Sequence, residues 1–144
     1  MKVLQLLSSK YTIRSGRFFE ILYRTPLVGE FVVRSISRVM GKILFYSPWL
    51  SFYRSDTMSG IRKQLVELTS SIGIPISVIQ EGEKELQFLV HQCPYRYIRS
   101  DQQGVCDAIM DVDRSLFKLC GAELIIQESM VHGAPDCKIL LRKL

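Results

Sequence analysis

The hydrophobic period of the chain changes at Gly73, and this change constrains the fold more than any other feature. Up to residue 72 apolar residues recur at intervals of three and four; beyond Pro75 they alternate. Ile61, Leu65, Leu68 and Ile72 give one face of a helix over 59–72, with Ser59 as its N-cap and Gly73 then Pro75 as its stop. Ile74, Ile76 and Val78 then alternate, Glu81-Gly82-Glu83-Lys84 turns the chain, and Leu86, Phe88 and Val90 alternate back, which is a β-hairpin. Residues 122–132 and 137–143 read as a second hairpin around the turn Gly133-Ala134-Pro135-Asp136. Between the hairpins a helix runs from an N-cap at Asp101 to a C-cap at Gly121. The expected fold class is α+β: a small antiparallel sheet of two hairpins packed with helices, preceded by a basic helical N-terminal region.

With 144 residues the chain is read as one domain, 1–144, in which 1–58 form the basic helical region and 59–144 the sheet-and-helix core. The net charge of +5 is unevenly spread. Residues 1–63 carry eleven Lys and Arg against three Asp and Glu, and residues 64–144 carry eight against eleven. Phe18, Phe19, Ile21, Leu22 and Tyr23 mark a first helix that Pro26 ends. Residues 29–46 form a second, with Phe31, Val32, Ile36, Val39, Met40, Ile43 and Leu44 on its apolar face. Arg34, Arg38 and Lys42 fall four apart on the other side. That stripe is a candidate surface for a polyanion, either an anionic membrane or a nucleic acid backbone, and otherwise a plain solvated face. Trp49, Phe52 and Tyr53 follow, and with Tyr95 they are candidates to line an apolar ligand pocket or, for the first three, a homodimer contact. No run of apolar residues is long enough to span a membrane and no signal-peptide pattern opens the chain, so a cytoplasmic location is expected.

All four cysteines lie between residues 93 and 137. In a reducing compartment such clustering points to a metal or to buried packing rather than to disulfides. The intervals of 12, 13 and 16 residues contain no Cys-x-x-Cys pair. Element ends nevertheless bring Cys93, Cys106 and Cys137 toward one edge of the sheet, with Asp113, His91 or His132 as a fourth group. Cys120 lies about 20 Å along the helix from Cys106 and falls outside one mononuclear site. A metal-binding reading therefore takes zinc or an iron–sulfur cluster as cofactor. Asp113 is the odd residue in the stripe Cys106, Met110, Asp113, Phe117 and Cys120, because a carboxylate among apolar side chains needs a partner. Cysteine–histidine nucleophile pairs, His91 with Cys93 and His132 with Cys137, are a second chemical reading.

Three pieces of residues 60–144 carry a family resemblance: Cys93-Pro94 after a strand, the helix with Cys106 and Asp113, and the ending in which Gly133 stands four before Cys137. With these the segment resembles the small cysteine-containing domains of the bacteriochlorophyll vinyl reductase type and the related L-2-amino-thiazoline-4-carboxylic acid hydrolases. The resemblance implies a sheet-and-helix fold shared with sensory and trafficking ligand-binding domains. It also implies a small hydrophobic or cofactor-like ligand beside the sheet, near a cysteine-ligated metal. Sensor members carry a further cysteine eight before the last; here Ser129 stands there. That departure leans toward the hydrolase-like variant, yet the function expected first is a small-molecule-binding or regulatory domain with a cysteine-ligated metal, and the alternative is a C–N bond hydrolase with metal-bound water or Cys93 as nucleophile.

Overall fold

A computed structural model describes the backbone of residues 2–48 and 50–144 and the side chains of 12–48 and 50–144. Helices α1 (Lys2–Tyr23) and α2 (Gly29–Tyr46) precede α3 (Met58–Ile72). The hairpin β1 (Ile76–Glu81) and β2 (Glu85–Val90) follows, then α4 (Gln103–Ile109), α5 (Asp111–Cys120), β3 (Ala122–Glu128) and β4 (Cys137–Lys143). The four strands form one antiparallel sheet in the order β1-β2-β4-β3, so the two hairpins are joined through β2 and β4. The α+β class expected from the change of period is the class observed.

Local chemistry sets most boundaries. Thr57, not Ser59, caps α3, its hydroxyl accepting from the Gly60 N–H at 3.2 Å. Gly73 and Gly121 close α3 and α5 in the left-handed region, at φ 73° and 100°. The helix expected over 101–120 is divided: a 3-10 turn over Ser100–Gln102 leads into α4, and Met110 stands between α4 and α5.

Two apolar clusters hold these elements together. The larger joins α3 (Met58, Ile61, Leu65), α5 (Leu116, Phe117, Cys120) and the inner face of the sheet (Leu86, Phe88, Leu124, Ile139, Leu141). The smaller joins α1, α2 and α4 through Phe19, Val33, Val105, Ala108 and Ile109, together with Tyr97 and Val131.

Helix α2 is turned the opposite way from the usual amphipathic expectation. Its buried residues are Gly29, Val33, Ser37 and Gly41, a stripe of small side chains four apart that lies along α4 and α5. Phe31 (75% exposed), Val39, Ile43 and Tyr46 (73% exposed) face outward, as do Phe18 and Ile21 of α1 and Leu27 and Val28 between the helices. The small residues permit a close approach. A Cβ added at Gly41 would overlap the Val112 carbonyl oxygen and lie 2.8 Å from the Ser115 Cβ. We expect Gly41→Val to push α2 off α5 and to cost about 2 kcal/mol, read as a drop of several degrees in thermal melting. An unchanged melting temperature would contradict this seam.

The same seam engages two of the three cations of the basic stripe Arg34, Arg38 and Lys42. Arg34 hydrogen-bonds Glu30 and Asp107, both at 2.9 Å, and lies 3.6 Å from Asp111. Arg38 bonds Asp111 at 3.0 Å. Arg114 closes the network onto Asp107 (2.6 Å) and Asp111 (2.9 Å). Burial would raise the Asp107 carboxyl, but hydrogen bonds from Arg114 and Arg34 outweigh it and hold the group below its ordinary pKa. Two of the three cations are thus committed to the protein's own acidic helix face, and only Lys42 stands outside the network. Among the described residues no helix is long and apolar enough to cross a membrane.

Candidate functional site: an apolar cavity between the two cores

A cavity of about 150 Å³ lies where the two clusters meet. The large cluster contributes Leu65, Phe88, Phe117, Leu124 and Ile139, and the small one Tyr97 and Ile109. An engineered apolar cavity of this size stays dry and takes up benzene or xenon. A smaller cavity of about 80 Å³ shares Thr12, Ile72, Ile74, Cys93 and Pro94 with it, so the two adjoin at the Cys93–Pro94 turn.

Three of the four cysteines line this cavity: Cys93 after β2, Cys106 on α4 and Cys137 at the head of β4. Cys120 lies in the larger core, away from it. The stripe Cys106, Met110, Asp113 and Phe117 faces the cavity in spite of the break at Met110. Tyr95 and Tyr97 form another wall. Arg96, at φ 58°, turns the chain between them, and their rings stack with centroids 5.7 Å apart. The Tyr97 hydroxyl donates to the Gly16 carbonyl of α1. Burial raises the pKa of both phenols.

The metal reading fails on this geometry. Among the described residues no group of three or more His, Cys, Asp or Glu is placed to hold a metal ion. The environment gives the reason: a metal ligand must be a thiolate, and an apolar surrounding favours the thiol. Burial pushes the Cys106 thiol up to about 12, and burial raises Cys137 as well. Cys93 and Cys137 instead accept backbone hydrogen bonds, from Tyr97 N at 3.3 Å and Met130 N at 3.4 Å. Neither imidazole turns to the thiols. His91 Nε2 lies 2.7 Å from Ser77 Oγ and its Nδ1 3.0 Å from Asp136 Oδ1; His132 Nδ1 lies 2.6 Å from Ser129 Oγ. The cysteine-ligated zinc or iron–sulfur function is therefore set aside, and so are the His91–Cys93 and His132–Cys137 nucleophile pairs and the hydrolase built on them. The chain Ser77–His91–Asp136 repeats the atom order of a hydrolytic triad, but none of these residues lines the cavities described above.

Asp113 is the exceptional group in the wall. Its carboxyl makes no hydrogen bond or ion pair among the described residues, and burial pushes it up to about 6. The guanidinium of its chain neighbour Arg114 is turned to Asp107 and Asp111. Of the aromatic candidates only Tyr95 lines this cavity. Phe52 packs against the larger core, Tyr53 is exposed with its N–H bound to Gln64 Oε1 at 2.9 Å, and Trp49 lies outside the described residues. Sequence patterning missed the role of α3 and the sheet in the wall, since Leu65, Leu68, Phe88 and Ile139 read only as core.

The sequence matches no family model and no curated protein. Solved structures do match. A trafficking protein particle complex subunit 3 from Naegleria fowleri, covalently bound to palmitic acid, superposes with a TM-score of 0.62 at 14% identity, over 100% of this chain and 97% of that one. An Fe(II) unliganded H-NOX protein from K. algicida gives 0.42 at 8% identity, over 81% and 63%. At such identities the first likeness shows the fold alone. Neither structure bears on the vinyl reductase and thiazoline hydrolase resemblance.

Proposed function

We propose that this chain is an assembly subunit that takes a single apolar molecule, a hydrocarbon chain or small ring, into the cavity between α3, α4, α5 and the sheet. The cavity itself carries the reading: an apolar void at the meeting of two cores costs stability unless something fills it. The fold supports a ligand as well, because the trafficking subunit that shares it is covalently bound to palmitic acid. Free thiols in its wall suit a reducing compartment such as the cytoplasm. Calorimetric titration with 1-octanol tests the reading with a neutral probe. We expect saturable one-to-one binding with a negative heat-capacity change, the mark of apolar burial. Unsaturable partitioning would overturn it.

The outward apolar face of α1 and α2 supports the assembly half of the proposal. Phe18, Ile21, Leu27, Phe31, Val39, Ile43 and Tyr46 form more exposed apolar surface than an isolated soluble subunit ordinarily keeps. The partner we expect is a second copy, meeting through this face in an isologous contact rather than through Phe52, which the core claims. Sedimentation at micromolar concentration should give a dimer, and Phe31→Glu with Ile43→Glu should return it to monomer. A monomer for the parent chain at that concentration would contradict the contact.

A further inference from the structure

The unpaired carboxyl of Asp113 inside the cavity, beside the stacked Tyr95 and Tyr97 rings, points to a ligand with a positive end: we infer that the cavity selects an apolar molecule bearing one ammonium group. The inference rests on the apolar-molecule reading of the same cavity and adds the chemistry of the ligand's polar atom.

A plain alkyl chain would suit the aliphatic part of the wall. Leu68, Ile109, Phe117 and Ile139 need only dispersion contacts, and the Tyr97 hydroxyl is already spent on Gly16. A chain alone would leave the half-buried Asp113 carboxyl without a partner among the described residues. Among the described residues no Lys or Arg lines the cavity, and Arg114 is committed to Asp107 and Asp111. Asp113 sits on α5 one turn from Met110 and one turn from Phe117, and all three line the cavity. The thiols of Cys93, Cys106 and Cys137 surround the same space, and burial holds Cys106 and Cys137 in the neutral form, so the carboxylate is the negative group a ligand meets. Aromatic faces also attract an ammonium group, and Tyr95 lies close enough to Asp113 for the carboxylate to contribute to the rise in its pKa. A carboxylate-headed chain would place two like charges side by side.

Three probes with the same eight-carbon chain separate the possibilities: octylamine, 1-octanol and octanoate, each titrated at pH 7.5 into the full chain and into Asp113→Asn. Octylamine should bind about tenfold more tightly than octanol, and octanoate should bind least. In Asp113→Asn the amine preference should vanish while octanol binding stays within about threefold of its parent value. If octylamine has no advantage, if its advantage survives Asp113→Asn, or if octanoate binds best, the inference falls and the cavity reading stands on the octanol result. If none of the three binds, the cavity reading falls and the inference with it.

Discussion

Asp113→Asn should make the stability of the ligand-free protein nearly independent of the protonation that governs the parent chain at this site. Burial raises this carboxyl from an ordinary 3.8 to about 6, with the charge of Arg114 opposing the shift. The folded state therefore binds the proton more tightly than the unfolded state does. Well below pH 4 both states are protonated and the site costs nothing. As pH rises through the window from about 4 to 6 the unfolded chain releases its proton first, and stability falls. Above it the parent chain has lost about 3 kcal/mol, the free energy of some two pKa units. Burial raises Cys106, Cys137, Tyr95 and Tyr97 of the cavity above their ordinary values, so they do not enter that window. Denaturant unfolding of parent and variant at pH 4 and pH 8 gives the double difference that isolates Asp113. Parallel pH profiles would show that the carboxyl is solvated or paired in solution.

Val90→Trp carries the second large effect. Val90 stands at the end of β2 with its side chain in the cavity wall, and an indole there would occupy the space offered to a ligand. Binding of 1-octanol should fall at least about tenfold. Stability should hold or rise, because a void of about 150 Å³, at roughly 24 cal/mol per Å³, is worth up to about 3.6 kcal/mol when filled without strain. Loss of binding with a retained or raised melting temperature is the signature of occlusion. Retained binding would place octanol elsewhere. A variant that loses both binding and stability is overpacked, and Val90→Phe is then the test to make.

Much of the fold could be read in the sequence because local rules and packing agree there. The switch from helical to alternating pattern at Gly73 placed α3 and the first hairpin, and Gly73 and Gly121 end their helices as left-handed caps. What was not legible depends on partners distant in the chain. Helix α2 has a conventional apolar stripe, and amphipathic patterning alone turns that stripe inward. Its true buried face is the small-residue series Gly29, Val33, Ser37 and Gly41, whose meaning rests on α5 some 70 residues later and on acidic partners Asp107 and Asp111. The signal was present in the spacing of the glycines, but the basic stripe beside it drew the polyanion reading. The break at Met110 leaves the face stripe intact and so has no sign in the periodicity. The cysteines divide in the same way. Their positions at element ends told that Cys93, Cys106 and Cys137 approach one space while Cys120 stays apart. Whether that space is polar or apolar depends on Leu65, Leu68, Phe88 and Ile139 from other elements, and it decides between a metal centre and a hydrocarbon site.

The most direct test of the cavity as a binding site is a methyl NMR titration of the full chain with 1-octanol. The account predicts saturable shifts at the methyls of Leu65, Leu68, Ile109, Leu124 and Ile139, which line the cavity, with Ile21 and Ile43 on the outer helices silent. Shifts confined to Ile21, Ile43 and their neighbours, with the cavity methyls unmoved, would contradict it.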